Sequence, residues 1–364
     1  MNYFAIRKLD IYIMKKFLGT FFFAIILIIS IAVVFDLTEK MDDFMESHAP
    51  WKAIIFDYYL NFIPYFAVLF SSMFTFISVV FFTSRMAYNT EIIAILSSGI
   101  SFNRMLYPYL LSAIIIAAFS FTLNNYVIPK ANKVRFEFEE VYYHNKPVRY
   151  SYRDVHKQVR PGMYVYIESY RVSSAVGYNC TVESFKGKIM VSKISAERMT
   201  WNEDKQKWRF HNYYIRDIDE NKEKLSFGTV IDTTLYIIPA DFERRDNVKE
   251  TMSMKELNKF IDIQKMQGST SVADLIIEKN KRIAFPFSSF ILTLIGVTVS
   301  SRKVRGGIGG HIAYGLAVAF GYILFLQFST QYAIKGALSP FLAAWLPNVI
   351  FAIVGLIFYK MAPK

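Results

Sequence analysis

One short polar stretch carries the residue types best suited to a specific contact. The segment SRMAYNTEIIAILSSGISFNR (84–104) holds a single acid, Glu91, and lies between two long apolar runs. Three apolar side chains follow on one face at helical spacing: Ile92, Ile95 and Leu96. Gly99 then permits a sharp helix exit. The pattern predicts a short amphipathic helix that docks on a partner protein or lies on a lipid surface.

The residue types that carry most other chemistry lack the required spacing. There is no G-x-x-x-x-G-K-[ST] loop for nucleotide phosphates and no G-x-S-x-G nucleophile motif. The glycine-rich stretch 306–310 lacks both the lysine and a preceding strand, which favours a flexible turn. The five histidines are scattered, without metal-ligand spacing. The sequence therefore favours neither an enzyme nor a metal-binding protein.

The composition is that of a membrane protein. Of 364 residues, 53% are hydrophobic and 17% aromatic, and the mean hydropathy is +0.25. A net charge of +12 is compatible with nucleic-acid binding or with basic residues that flank membrane spans. The single cysteine, Cys180, excludes an intramolecular disulfide.

Six apolar stretches are long enough to cross a bilayer, which takes about 20 residues. They are 17–35, 58–84, 105–128, 283–301, 312–334 and 336–359. The first is too long for a signal-peptide core and has no small-x-small cleavage site, so we interpret it as an uncleaved span.

The basic residues fall mostly on one side of a chain that crosses six times. They are Arg7, Lys8, Lys15, Lys16, Arg85, Arg104, Arg302, Lys303, Arg305, Lys360 and Lys364. By the positive-inside rule, both termini are cytoplasmic. The positive charge is then explained by topology, and nucleic acid is not an expected partner.

A large insertion separates the third and fourth spans and is expected on the opposite side of the membrane. Its middle contains alternating, turn-punctuated segments at 163–169, 178–185, 188–201, 207–218 and 224–238. These predict an all-β sandwich or jelly roll. Ser253 and Glu256 form a capping box that begins a helix, and Gly268 suits its end.

The predicted architecture is therefore a six-span helical membrane protein, three spans on either side of an inserted periplasmic jelly-roll-like domain. We place the boundaries at 1–128, with the short helix at 90–98, then 129–252 for the β domain, 253–282 for a helical connector and 283–364 for the last three spans. Because the apolar cores lack carboxylates, an autonomous secondary transporter of a lipid or amphiphile is the weaker alternative.

The order of these features resembles the LptF/LptG (YjgP/YjgQ) permeases of lipopolysaccharide export. The short helix is similar to the family pattern S-E-[LI]-x-x-[ML]-x-[AS]-x-G-[VFIL]-[ST], with Thr90 at the N-cap position. NNYVIPKAN (124–132), MTWNEDKQKWRFHN (199–212) and Arg282-x-Ala284-x-Pro286 also resemble family segments. The resemblance covers nearly the whole chain.

The resemblance implies partners and an energy source. It implies a second LptF/LptG-type permease, a dimeric cytoplasmic LptB-type ATPase that holds ATP and magnesium, and periplasmic bridge proteins of LptC/LptA type. This chain would bind no cofactor itself. It would extract lipopolysaccharide from the Gram-negative inner membrane and pass it through the β domain toward the outer membrane.

The resemblance also implies three sets of site residues. Contact with the ATPase would use Glu91, Ile92, Ile95, Leu96 and Gly99. A lateral gate between the first and fifth spans would involve Phe21, Phe22, Ile25, Ile28, Leu316 and Phe320. Lipid phosphates would bind rim cations, namely Lys40, Lys130, Lys133, Arg135 and Arg282. The stretch around Lys40, DLTEKMDDF, is more acidic than the family leads us to expect.

Overall fold

The structure is a computed structural model. It describes residues 6–142, 151–219, 222–235, 237–239, 242, 248–269, 271–302 and 308–362. The predicted glycine-rich turn therefore lies partly outside the described residues. The chain divides into two compact units: Met1–Tyr143 with Lys249–Leu257 and Ala273–Lys364, and His144–Val248 with Asn258–Val272. Residues 258–272, which we assigned to a separate connector, thus group with the second unit.

The first unit contains the helices that are long and apolar enough to cross a membrane. Six such helices occur among the described residues, which confirms the six predicted spans. They are α1 (Lys8–Glu46), α2 (Trp51–Tyr88), α4 (Phe102–Tyr142), α7 (Val272–Ser300), α8 (Ile308–Ile334) and α9 (Pro340–Met361). Shorter helices are α3 (Glu91–Ser97), α5 (Val248–Thr251) and α6 (Met254–Met266).

Two of the spanning helices widen into π-helical segments. These are Ile54–Tyr59 in α2 and Leu123–Val127 in α4. Pro64 and Pro129 follow them closely and lack the backbone N–H that a regular α-helix would use. The first segment carries two tyrosines that reach the end of α1, as described below.

Close packing of α2 against α7 and α8 forms the centre of the helical unit. A Cβ added at Gly296 of α7 would lie 2.7 Å from Cγ1 of Val79, so only glycine allows this approach. Asn348 of α9 donates to the carbonyl of Ala284 at 2.8 Å and accepts from the Tyr322 hydroxyl at 2.9 Å. These contacts hold α7, α8 and α9 together.

Helix α1 buries one narrow stripe and exposes the rest. The buried side chains recur every four residues: Ile13, Phe17, Phe21, Ile25 and Ile29. The neighbouring apolar side chains are exposed: Phe22, Phe23, Ile26, Leu27 and Ile31. A long apolar surface exposed outside the bundle is what a helix in contact with lipid or another chain presents.

The second unit is built on an antiparallel sheet, which confirms the predicted all-β insertion. Its strands are β1 (Ser151–Arg160), β2 (Met163–Arg171), β3 (Val176–Lys186), β4 (Ile189–Asn202), β5 (Lys207–Asp219) and β6 (Lys222–Thr233). The described strands form one sheet in sequence order, rather than the crossed order of a jelly roll. Short hairpins explain this order, since each joins a strand to its neighbour; Gly187 supplies one turn at φ +65°.

The inner side of the sheet is a compact aromatic core. Trp208 donates to the carbonyl of Ile237 at 2.8 Å, and Tyr170 stacks on Phe242 with ring centroids 4.1 Å apart. Cys180 is buried in the same cluster, and burial raises the pKa of its thiol to about 12. The thiol is therefore a packing group at neutral pH.

The predicted signals at both ends of α6 are confirmed. The backbone N–H of Ser253 donates to Glu256 Oε2 at 2.8 Å, and the N–H of Glu256 donates to Ser253 Oγ at 3.4 Å. Gly268 ends the helix at φ +67°. The capping box and the glycine act locally, which is why the sequence alone predicts them.

Candidate coupling and lipid-contact sites

The short helix α3 exists, and its predicted apolar face packs against its own chain. Ile92 is 1% exposed, and Ile95 and Leu96 are half-buried against the same apolar cluster. The opposite side presents Ile93, which is 52% exposed, together with the exposed Ala94 and Ser97. A partner protein would therefore meet this opposite side first.

The two ends of α3 differ in how they turn. Gly99 adopts φ +84°, the left-handed conformation predicted for the helix exit. Thr90 occupies the N-cap position at φ 62°, but its side chain makes no capping bond; its hydroxyl donates instead to the carbonyl of Asn89 at 2.6 Å. Thr90 therefore stands at the predicted N-cap position without supplying a side-chain cap. A β-branched residue is strained there.

The carboxylate of Glu91 is held by groups of this chain. Tyr12 of α1 donates its hydroxyl to Glu91 Oε2 at 3.0 Å, and Asn89 Nδ2 donates to Oε1 at 3.3 Å. Glu91 is only half-buried, so its carboxylate can accept a further bond from outside.

A second polar link, between Asp10 and Arg104, lies beside α3 and was not predicted from the sequence. Arg104 donates through both terminal nitrogens to the Asp10 carboxylate, each at 2.6 Å. The backbone N–H of Arg7 adds a bond to Asp10 at 2.7 Å. Asp10 is 2% exposed. The available signal was that Asp10 is the one acid among the first 35 residues, beside a basic tail.

At the other end of α1, Lys40 forms an ion pair within its own helix. Its ammonium lies 3.1 Å from Asp36 Oδ1, one helical turn earlier, and it contacts the Tyr58 hydroxyl. Tyr58 and Tyr59 donate to the two Asp36 oxygens at 3.2 and 3.3 Å. The acidic surroundings noted in the sequence therefore balance the charge of Lys40.

The remaining predicted rim cations fall into two groups. Lys130 and Lys133 are exposed on α4. Arg135 is buried, lies 3.5 Å from Glu139 through Nε, and has its guanidinium 5.3 Å from the Tyr65 ring centroid. Only the two lysines present their charge openly to a lipid headgroup.

Arg282 fixes the place where the chain returns to the helical unit. Its nitrogens donate to Glu278 Oε1 at 3.0 Å, to the carbonyl of Met252 at 2.7 Å and to the carbonyl of Lys249 at 2.7 Å. Lys249 in turn pairs with Asp274. With a side chain only 2% exposed, Arg282 directs its donors to these internal partners, and its predicted contact with lipid phosphate stays a prediction.

Some of the predicted gate residues are buried within the helical unit, and others are exposed. Phe21 and Ile25 are buried in the α1 stripe and Ile28 is half-buried, whereas Phe22 is 37% exposed. Leu316 and Phe320 are exposed on α8, at 37% and 55%. Contact with a second chain is therefore open to Phe22, Leu316 and Phe320 in this conformation.

The sheet unit carries an open cavity of about 680 Å³. Its lining includes Tyr164, Tyr166, Thr181 and the ion pair of Lys193 with Glu183, 2.8 Å apart. The lining thus combines hydroxyl and charged groups with a larger share of apolar surface. In the described part of the chain, no group of three or more His, Cys, Asp or Glu could hold a metal ion.

The chain matches a protein-family model over most of its length. The family model described as "Lipopolysaccharide export system permease LptF/LptG" matches residues 11–361. That range takes in α1 from Ile11 onward, the other five long helices and the complete insertion between them. A search of curated proteins gave no match.

Proposed function

Because the chain belongs to the LptF/LptG family of lipopolysaccharide export permeases, we propose that it extracts lipopolysaccharide from the inner membrane and passes it through its β domain toward the outer membrane. The observation that carries the proposal is the family match over residues 11–361. Members of this family are transport subunits of the Lpt export system and not enzymes. Six spanning helices and an inserted sheet agree with that role.

ATP hydrolysis by a partner would supply the energy. The partner is a dimeric LptB-type ATPase that holds ATP and magnesium, and α3 is its contact on this chain. The exposed side of α3, with Ile93 at its centre, forms the docking surface, while Ile92, Ile95 and Leu96 keep the helix seated on the bundle. Glu91 stands at the edge of this surface, where a basic residue of the ATPase reaches it.

Lipid would enter between this chain and a second LptF/LptG-type permease. The exposed side of α1 near Phe22 faces the partner's fifth span, and Leu316 and Phe320 of α8 face the partner's first span. Apolar, lipid-sized surfaces of this kind accept acyl chains at little cost, because the chains leave one apolar environment for another.

Phosphates of the lipid headgroup would bind Lys130 and Lys133. Both ammonium groups are exposed at one end of the helical unit, and a lysine attracts phosphate as a compact charge. Lys40 contributes less because Asp36 already balances it.

The positive-inside pattern supports the orientation. Both termini and α3 lie in the cytoplasm, and the β domain lies in the periplasm, where LptC/LptA-type proteins receive the lipid.

Co-purification tests the proposal. The full chain is solubilised from its native membrane, and bound proteins and lipids are identified by mass spectrometry. We expect an ATPase subunit, a second permease and lipopolysaccharide. Ile93→Arg should lose the ATPase and keep the permease, whereas Ile55→Arg, an equally exposed isoleucine of α2, should keep both. A wild-type chain that binds lipid alone would overturn the proposal in favour of an autonomous transporter.

A further inference from the structure

Two links between residues far apart in sequence join the start of α1 to residues 89–104. This segment contains α3 and the first turn of α4 and is called the α3 corner below. Tyr12 bonds Glu91 across 79 residues, at 3.0 Å. Asp10 bonds Arg104 across 94 residues, through two contacts of 2.6 Å. Arg104 lies in the first turn of α4, directly after the exit of α3. The first turns of α1 are therefore tied to both sides of the corner.

The two links differ in strength. The Asp10–Arg104 pair is bidentate and nearly solvent-free, with side-chain exposures of 2% and 13%. Charged pairs of this geometry hold their partners in one orientation. The Tyr12–Glu91 bond is exposed to solvent and is correspondingly weaker. The first link fixes α1 to α4, and the second can adjust when the Glu91 carboxylate gains another partner.

Apolar packing reinforces the same junction. Ile92 of α3 belongs to one buried cluster with Ile13 and Phe17 of α1 and Phe102 of α4. Well-packed side chains transmit displacement because the interior has little free space. A movement of α3 therefore reaches α1 through the cluster and through both polar links.

Between this junction and the contacts of Asp36 with α2, most of the surface of α1 is exposed. Only 22% of its most apolar window is buried, against 61% for α2. Phe22 lies ten residues beyond Tyr12 in the same continuous helix, about 15 Å along its axis, so a tilt of the start of α1 displaces the side that carries Phe22.

We propose that Asp10, Tyr12, Glu91 and Arg104 form a clamp that converts movement of α3 into movement of α1, and so couples the docked ATPase to the lipid-contacting helix. The inference rests on the proposed function of α3 and α1. The four side chains are positioning residues, and none of them contacts the transported lipid.

The test measures coupling and not only activity. The full complex with its ATPase and second permease is reconstituted in proteoliposomes, and lipopolysaccharide released per ATP hydrolysed is recorded. Tyr12→Phe removes one hydroxyl and should lower this ratio about fivefold while ATP hydrolysis continues. Tyr314→Phe, an exposed tyrosine of α8, is the matched control and should leave the ratio unchanged.

The buried pair gives a second test. Asp10→Arg and Arg104→Asp should each lower the ratio, and the double variant should recover part of it, because the pair is restored with reversed charges. Spin labels at Lys15 and Ser98, with Cys180→Ala as background, give a separate readout. The distance distribution should stay narrow through the ATP cycle in the wild type and broaden in Tyr12→Phe.

Four results would count against the clamp. An unchanged ratio in Tyr12→Phe, or an equal fall of hydrolysis and release, overturns it while the transport function stands. A label distance that does not respond to Tyr12→Phe overturns it as well. If the wild-type complex hydrolyses ATP and releases no lipopolysaccharide, the proposed function itself fails, and the clamp with it.

Discussion

The two ends of α1 use the same kind of charge pair in different ways. At the start, Asp10 pairs with Arg104 of another helix, 94 residues away. At the far end, Asp36 pairs with Lys40 of the same helix, four residues away. The first pair joins two elements. The second neutralises a cation and offers its carboxylate to Tyr58 and Tyr59 of α2.

This difference shows what each end can do. A long-range buried pair restricts how helices move relative to each other, so it belongs to the transmission of force. A local pair restricts little, and it lowers the attraction of Lys40 for an external phosphate. Sequence alone marks both ends as charged, and the range of the contact decides between the two roles.

The largest expected effect follows from breaking the long-range pair. Asp10→Ala leaves the partly buried Arg104 without its counter-charge and should lower the free energy of unfolding by about 3 kcal/mol. Equilibrium unfolding of the purified chain in mixed micelles, titrated with SDS, measures it. Glu39→Ala, at an exposed site of the same helix, is the control, and an equal loss in both variants would contradict a special role of the pair.

Arg282 is a second buried charged residue that joins segments distant in sequence, and it lies where the chain returns to the helical unit. Arg282→Ala removes three donors and leaves the carbonyls of Lys249 and Met252 unpaired. The same titration should show a loss of about 2 to 3 kcal/mol. Arg302→Ala, an exposed arginine, should cost far less. A neutral result at Arg282 would reopen it as a phosphate ligand.

The local pair should matter less. Asp36→Asn removes the charge opposite Lys40 and keeps a polar group for the two tyrosines, so the loss should be about 1 kcal/mol. With this counter-charge removed, Lys40 should attract the phosphates of lipopolysaccharide more strongly. Binding of labelled lipid to the solubilised chain measures this gain, and a weaker binding in Asp36→Asn would show that the carboxylate itself assists, as a divalent-ion bridge would.

At the α3 corner, relief of backbone strain should stabilise the chain slightly. Thr90→Gly places a residue without Cβ at φ 62° and should raise the free energy of unfolding by about 0.5 to 1 kcal/mol. Thr20→Gly, within regular helix, should lower it. If Thr90→Gly destabilises instead, the left-handed turn is not strained as we describe.

The smallest effect concerns pH. Burial, followed by the nearby Glu278, raises the pKa of Glu250 above its ordinary value of 4.5. Its contribution is therefore most favourable below about pH 4.5 and is lost as pH rises through the raised pKa. Relative to Glu250→Gln, the wild type should lose stability as the pH rises from 4.5 to 7. Glu137→Gln, at an exposed site, is the control. A difference in unfolding free energy between the wild type and Glu250→Gln that does not change with pH would contradict the raised pKa of Glu250.

Local signals in the sequence predicted most of the fold. Hydropathy alone gives the six spans, because crossing a bilayer requires a long apolar run. The capping box of Ser253 and Glu256 and the exit at Gly99 act within one helical turn, so they too were predicted. Strand β1 was missed because SYRDVHKQVR alternates charged and polar residues with few apolar ones.

Contacts between distant elements could not be predicted from one sequence. Helical spacing showed that Ile92, Ile95 and Leu96 share a face, but spacing does not say whether a partner or the same chain covers that face. Asp10 and Arg104 each looked like part of a charged flank, and their pairing depends on how α1 and α4 pack. For the same reason, Phe21 and Phe22 were predicted together although they point to different surroundings.

The most direct test of the account is photocrosslinking of lipid to α1 in living cells. A photoreactive phenylalanine analogue replaces Phe22 on the exposed side or Phe21 on the buried side. We predict a lipopolysaccharide adduct at position 22 that disappears when the partner ATPase is inactivated, and little or none at position 21. Equal adducts at both positions, or adducts at 22 with phospholipid only, would contradict lipid passage along this helix.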